Sequence, residues 1–256
     1  MSVPTSYTSA YPMAFREMDC RGLCRPTILP ELMQDTATIH AEQMGMGRRV
    51  LLQKARAIFM LSRLYYFLNR PVRQGETVEV STWQRGARGA IWYRDFSLTC
   101  QGVSLGRATS CWVLVSADTG RVIRPDRVLE PHQLAMRKQE GWPQLNKLAL
   151  PALSPFCRHP VRYSDLDSNR HLNHVRSIEI LTDTLGLEEE PGQYVSSLQI
   201  NYLGQCRLGE KLEVLRGQRD GVRYAAAAVD GARRLEMMAA LSPVEGEQPV
   251  DLLAGQ

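Results

Sequence analysis

Asp167, Asn169 and His171 stand at alternate positions in a polar run that leads into an apolar stripe. The chemistry open to such a trio is acid–base work on a carbonyl. An imidazole with an ordinary pKa near ~6.5 exchanges protons around neutral pH, so His171 could polarise a water for attack on an acyl carbon. Asn169 offers both a donor and an acceptor and could hold that water or the carbonyl oxygen, while Asp167 could orient the imidazole or act as base. The unpaired N–H groups of a helix starting just after the run would add donors for an oxyanion. The same residue types suit a hydrogen-bonded loop equally well. Asp165 and Asn173 read as turn and cap residues, and His174 as an exposed or satisfied helix residue.

The element that must position the trio is a helix, because Val175, Ile178, Leu181, Thr182 and Leu185 recur at three- and four-residue spacing before Gly186. An equivalent stripe occurs earlier in Leu29, Leu32, Met33, Thr36, Ala37, His40, Ala41 and Met44, with Pro30 near its start and Gly45 after its end. Runs rich in aromatic and branched residues follow it and predict strands at Ala57 to Leu68, Thr77 to Trp83, Ile91 to Thr99 and Ala108 to Ser116. The chain repeats itself. Phe15 to Gly22 parallels Val161 to Ser168 at an offset of 146, Asp19 against Asp165. Leu64 to Val80 parallels Leu198 to Val214 at an offset of 134, Gly75 against Gly209, so the second copy is shorter by about one loop. With the first offset, Asp167, Asn169 and His171 fall on Arg21, Leu23 and Arg25, and the polar trio exists once.

Two copies of a helix on an antiparallel sheet, paired edge to edge, make an α+β fused dimer. The Pro-containing stretch from Pro125 to Pro160 reads as the connection, with a short helix at Leu134 to Lys138 and a boundary near 150, giving units 1–150 and 151–256. The run from Glu245 to Gln256 reads as a loose tail.

With 44% hydrophobic and 23% charged residues among 256, the composition excludes disordered, collagen-like and coiled-coil classes. A net charge of +4, from 31 basic against 27 acidic residues, is too small an excess for a nucleic-acid binder. No apolar stretch reaches the ~18 residues of a membrane span, and Met1 to Ala10 lacks the basic start and apolar middle of a secretory signal. Six cysteines without a CxxC pair read as reduced core thiols and not as a zinc set. A cytoplasmic protein without metal or cofactor is expected.

The segment Arg162-Tyr163-Ser164-Asp165-Leu166-Asp167-Ser168-Asn169-Arg170-His171-Leu172-Asn173-His174 resembles the SDLDxNxHxNN signature of the acyl-acyl-carrier-protein thioesterases, departing where His174 replaces the last Asn. Gly106 to Leu114 resembles that family's GxATSxWV strand, and Ile200 to Cys206 falls where its strand before the active-site loop would be. The resemblance implies a tandem hotdog, two antiparallel sheets each wrapped around a long helix and paired as a pseudo-dimer. It implies hydrolysis of fatty acyl-acyl-carrier-protein to free fatty acid, with Asp167, Asn169 and His171 at the catalytic positions. It also points to Gln205 and Cys206 as supporting residues. Cys206 matches a thiol that is a natural candidate nucleophile. Gln205 stands where the family usually has Glu, and an amide cannot take up a proton as a carboxylate can.

The implied substrate is a fatty acyl chain on the phosphopantetheine of an acyl carrier protein. Its apolar walls are expected from Leu32, Met33, Met44, Phe59, Leu64 and Trp112, residues that core packing would explain as well. Arg121, Arg124, Arg127, Arg137 and Arg158 could meet an acidic carrier. Acyl-CoA hydrolysis, hydration or dehydration of an acyl thioester, and non-catalytic acyl binding remain open alternatives. One chain should be the smallest working unit, with further pairing into a homodimer open.

Overall fold

In the computed structural model, which describes residues 4–134 and 142–254, the first apolar stripe becomes α1 (Ile28–Gln43). Its buried face is Leu29, Met33, Thr36, Ala37 and His40, and the chain leaves it through Gly45 at φ 68. Before it come β1 (Ser6–Pro12) and a helical turn at Phe15–Glu17. After it come α2 (Arg48–Ala55), β2 (Ala57–Leu68), β3 (Thr77–Arg88), β4 (Ile91–Cys100) and β5 (Val103–Ser116). The second half repeats the order with β6 (Ser154–Pro160), a turn at Tyr163–Asp165, α3 (His174–Thr182), β7 (Gln193–Tyr202), β8 (Lys211–Arg219), β9 (Val222–Val229) and β10 (Ala232–Pro243).

The ten strands form one sheet in the order β1-β3-β4-β5-β2-β7-β10-β9-β8-β6, two mirror-related halves meeting at β2 and β7. The separate sheets expected from the sequence are therefore one continuous sheet, because antiparallel ladder bonds pair Leu64 with Ile200 and Tyr66 with Leu198 across the middle. On one face of this seam these four side chains join Leu29 and Met33 of α1 and Ile178 of α3 in the main core. The second helix is shorter than expected, 9 residues against 16. It tightens into a single turn at Asp183–Leu185 and stops at Gly186, φ 60. The missing length in the second copy is thus the end of α1 and all of α2.

The other face of the seam carries Tyr65 and Gln199, paired in register, and is covered by irregular chain. Gln199 Nε2 donates to the Asn146 carbonyl at 2.8 Å, and Arg63 Nη1 to that of Leu145 at 2.9 Å. The C-terminal run is not a loose tail. Leu253 is buried, and the Asp251 carboxylate accepts from the Tyr65 hydroxyl and from Arg107 Nη2 at 2.7 Å. Of the short helix expected at Leu134 to Lys138, all but Leu134 lies outside the described residues. No helix is long and apolar enough to cross a membrane among those residues.

Buried polar groups lock α1 to its half-sheet. Arg94 Nη1 donates to His40 Nδ1 at 2.9 Å, so Nε2 carries the ring proton and donates to the Pro4 carbonyl at 3.1 Å. Burial, reinforced by the Arg94 charge, lowers the His40 pKa to about 4. The unfolded ring takes its proton near ~6.5, so this contribution is complete above that pH and is lost as the pH falls toward 4. Thermal melts between pH 7 and 4 should show stability declining over this window, and His40→Gln, which cannot titrate, should flatten the decline.

Candidate active site

The polar run forms a tight loop between the Tyr163–Asp165 turn and α3. Asp167 N donates to the His171 carbonyl at 2.8 Å and Arg170 N to that of Asp167 at 3.0 Å, with Arg170 in the left-handed region at φ 62. The Asp167 carboxylate ties the loop together. Its Oδ1 accepts from Asn169 N at 2.8 Å and His171 N at 3.2 Å, and its Oδ2 from Asn169 Nδ2 at 3.1 Å. It therefore sets the Asn169 amide and the backbone that carries His171, and makes no hydrogen bond to the imidazole among the described residues. The His171 ring is half-buried and meets no hydrogen-bond partner there either.

Asp165 and Asn173 are the structural residues the sequence suggests. Asp165 is buried and accepts from Arg162 N at 2.8 Å, His159 Nε2 at 3.1 Å and Arg176 Nη2 at 3.1 Å. Burial alone would raise its carboxyl, but these donors together hold it below the usual range. Asn173 Oδ1 caps α3 by accepting from Val175 N at 2.7 Å and Arg176 N at 3.4 Å. Those two amides, expected as oxyanion donors, are thereby occupied.

The loop opens onto a cleft of about 1090 Å³ running from the start of α3 into the first half of the chain. Asp167, Asn169, His171, Gln205 and Cys206 all line it, as do Phe59 and Trp112. Four of the expected wall residues do not. Leu32, Met33 and Leu64 belong to the main core between α1 and the sheet, and Met44 is buried in a smaller cluster beside α2. Their places are taken by Met60, Leu61 and Trp92 from the sheet and Leu51 from α2. Gln205 is exposed on the rim. Cys206 is buried, which pushes its thiol up to about 11; a protonated thiol is a poor nucleophile. Its carbonyl accepts from Leu172 N at 2.8 Å and anchors the loop.

Two residues of this site carry no signal in the sequence. Arg48, at the start of α2, reaches across from the first half, and its Nη2 donates to Asn169 Oδ1 at 2.7 Å. His174 forms part of the cleft wall, with an Nε2 closed to solvent and without a partner. Burial lowers its pKa to about 4, against a small opposing effect of Asp167. Among the described residues no three His, Cys, Asp or Glu side chains converge as a metal site requires.

The mirror-related loop of the first half corrects the repeat alignment. Asp19 Oδ1 accepts from Arg21 N at 2.8 Å and Leu23 N at 3.1 Å, and Asp19 N donates to the Leu23 carbonyl at 2.7 Å. These are the bonds of Asp167, so Asp19 matches Asp167 at an offset of 148. The left-handed position is Gly22, φ 74, opposite Arg170. Asn169 and His171 therefore face Arg21 and Leu23, and the aspartate is common to both loops. Only a cavity of about 20 Å³ remains beside the first loop, room for about one water.

Two helix-clasping half-sheets joined along one seam, with one open cleft, define a tandem hotdog protein. The chain belongs to the acyl-ACP thioesterase family: residues 4–131 match the model of the family's N-terminal domain and residues 152–235 that of its C-terminal domain. It is 28% identical over 199 residues to a chloroplastic palmitoyl-acyl carrier protein thioesterase of Cuphea hookeriana, an alignment that covers 72% of this chain and 48% of that one. It is 23% identical over 229 residues to an oleoyl-acyl carrier protein thioesterase of Arabidopsis thaliana, covering 82% and 63%. The chain thus spans about half to under two thirds of the length of these relatives. The fold matches an acyl-ACP thioesterase from Bacteroides thetaiotaomicron with TM-score 0.84 at 19% identity, covering 93% of this chain and 98% of that one. It also matches the 12:0-ACP thioesterase from Umbellularia californica with TM-score 0.76 at 21% identity, covering 94% and 98%.

The first loop has become a clamp. Arg21 pairs with Asp19 at 2.7 Å, and its Nη1 donates to the carbonyls of Leu187 and Glu190 at 3.2 Å and of Gln193 at 2.9 Å in the second half. Arg21→Ala leaves Asp19 and these carbonyls without their donor and should cost about 3–5 kcal/mol, the usual loss when one partner of a buried pair is removed. Urea denaturation measures it.

Proposed function

We propose that this chain hydrolyses the thioester of a fatty acyl group carried on the phosphopantetheine of an acyl carrier protein, releasing the free acid at Asp167, Asn169 and His171. The observation that supports it is the asymmetry of two loops with one turn geometry. The large cleft opens beside the loop that bears Asn169 and His171, and the loop bearing Arg21 and Leu23 has almost none. In this reading His171 polarises the attacking water and Asn169, held by Asp167 and Arg48, holds the carbonyl oxygen. Gln205 is placed on the rim to orient water. Phe59, Met60, Trp92 and Trp112 receive the acyl chain, where each buried methylene contributes about 0.8 kcal/mol.

The carrier is favoured over CoA by the family and by the rim, where Arg48, Arg170 and Arg207 are exposed beside the cleft and suit an acidic protein. Arg121, Arg124, Arg127 and Arg158 are also exposed but do not line the cleft, and Arg124 and Arg158 face Asp126 and Glu213. Arg137 lies outside the described residues. We infer units 1–150 and 151–256 fused into one working pair, so one chain is the smallest active species and light scattering reads any further pairing. All six cysteines are free, which supports a reducing, cytoplasmic compartment.

A panel of acyl thioesters differing in head group and chain length tests the reading by thiol release. The expected result is turnover of long-chain acyl carrier protein, lowered about 100- to 1000-fold in His171→Ala and Asn169→Ala, the usual loss for one oxyanion-type contact. Full turnover in both variants would overturn the site. A change in enoyl absorbance without free thiol would mean a lyase, and tight acyl binding without turnover a carrier of acyl chains.

A further inference from the structure

Hydrolysis at this site needs a group to take the proton of the attacking water, and the neighbours of His171 are poor candidates. Asp167 is committed to three hydrogen bonds inside the loop. Gln205 is an amide, and Cys206 is a buried thiol. His174 is different. It begins α3, forms part of the cleft wall with His171 and Gln205, and has a ring Nε2 that is closed to solvent and unpartnered. A buried polar atom without a partner is uncommon in folded proteins and marks a place for a water or a ligand. The backbone around it is fixed, because Asn173 caps the helix and the Tyr202 hydroxyl donates to the His174 carbonyl at 3.1 Å.

Resting on the thioesterase reading, we propose that His174 is a second catalytic imidazole, the proton acceptor for the attacking water in a site whose rim residue, Gln205, cannot accept one. His171 orients the water through its other hydrogen. The water proton passes to His174 Nε2 as its oxygen bonds to the thioester carbon, and the carbonyl electron pair moves onto oxygen beside Asn169. When that pair returns, the carbon–sulfur bond breaks, and the leaving thiolate takes the proton back from His174. The products are the free acid and the thiol, and the ring ends neutral as it began. Burial favours the neutral ring, which keeps it ready to accept, and its proton affinity then lies close to that of an ordinary glutamate.

The test is a rescue. In His174→Asn, kcat for thiol release should fall about 100-fold or more, the usual contribution of a general base, with KM within about threefold of the parent because the acyl walls are untouched. Adding Gln205→Glu to that variant supplies a carboxylate on the same cleft and should recover at least about tenfold of the lost kcat. Far-UV circular dichroism and melts check folding, and His174→Gln carries the same comparison if His174→Asn does not fold. A variant that keeps kcat within about threefold overturns the proposal, as does a loss that Gln205→Glu leaves unrecovered, since that assigns His174 to packing. Parent protein that releases no thiol from any acyl thioester instead overturns the thioesterase reading itself.

Discussion

The antiparallel pairing of β2 with β7 is the constraint on which the molecule depends. Alone, each half-sheet would end in an edge strand with a row of open amides and carbonyls. Joined, the two ladders close on each other, Leu64, Tyr66, Leu198 and Ile200 enter a shared core, and the polar residues behind them are met by the 142–153 strap and the C-terminal turn. The register also fixes where the two pseudo-equivalent loops lie. Each faces the helical segment of the opposite half, so every contact at the site is a contact between halves.

Those contacts differ in sign between the two sides. In the first loop an arginine reaches out to three carbonyls and fills the space that a cleft would need. In the second, the arginine sits on the opposing helix, Arg48, and the loop presents an amide to it. α2 holds the second cleft open by standing beside it, whereas its counterpart around Leu187–Glu189 is a single turn drawn down onto Arg21. The difference in cavity volume follows from that exchange of side chains and from the lost helix.

How much of this is legible in sequence depends on whether the signal is local. The stripe of Leu29 to Met44 and the branched run Ala57–Leu68 set α1 and β2 because period and propensity agree. The four alanines Ala225 to Ala228 do not, since alanine favours helix. They form β9 because neighbours on both sides supply ladder bonds and the small side chains let α3 lie close. The trio of Asp167, Asn169 and His171 was visible as chemistry, but its walls were not. Leu32, Met33, Met44 and Leu64 are as apolar as Phe59 and Trp112, and only the packing of α1 decides which of them face the cleft. Arg48 and Arg21 act across more than a hundred residues, a relation no pattern in one sequence encodes.

The repeat register shows how a physical criterion outranks letter matching. Matching Arg16 and Asp19 with Arg162 and Asp165 gains two identities, but it sets an aspartate that closes a turn against one that receives the helix-side donors of Arg176. The useful mark is the residue three beyond the turn aspartate, which must take a positive φ: Gly22 in one loop and Arg170 in the other. Glycine adopts that conformation without steric cost, and arginine does so against a penalty. The strained turn is thus kept in the half that has the cleft and relaxed in the half that lost it. Since Asp19 and Asp167 make the same bonds, the aspartate belongs to the scaffold from which both loops are built, and the differences that matter for chemistry narrow to Asn169, His171 and the residues that face them.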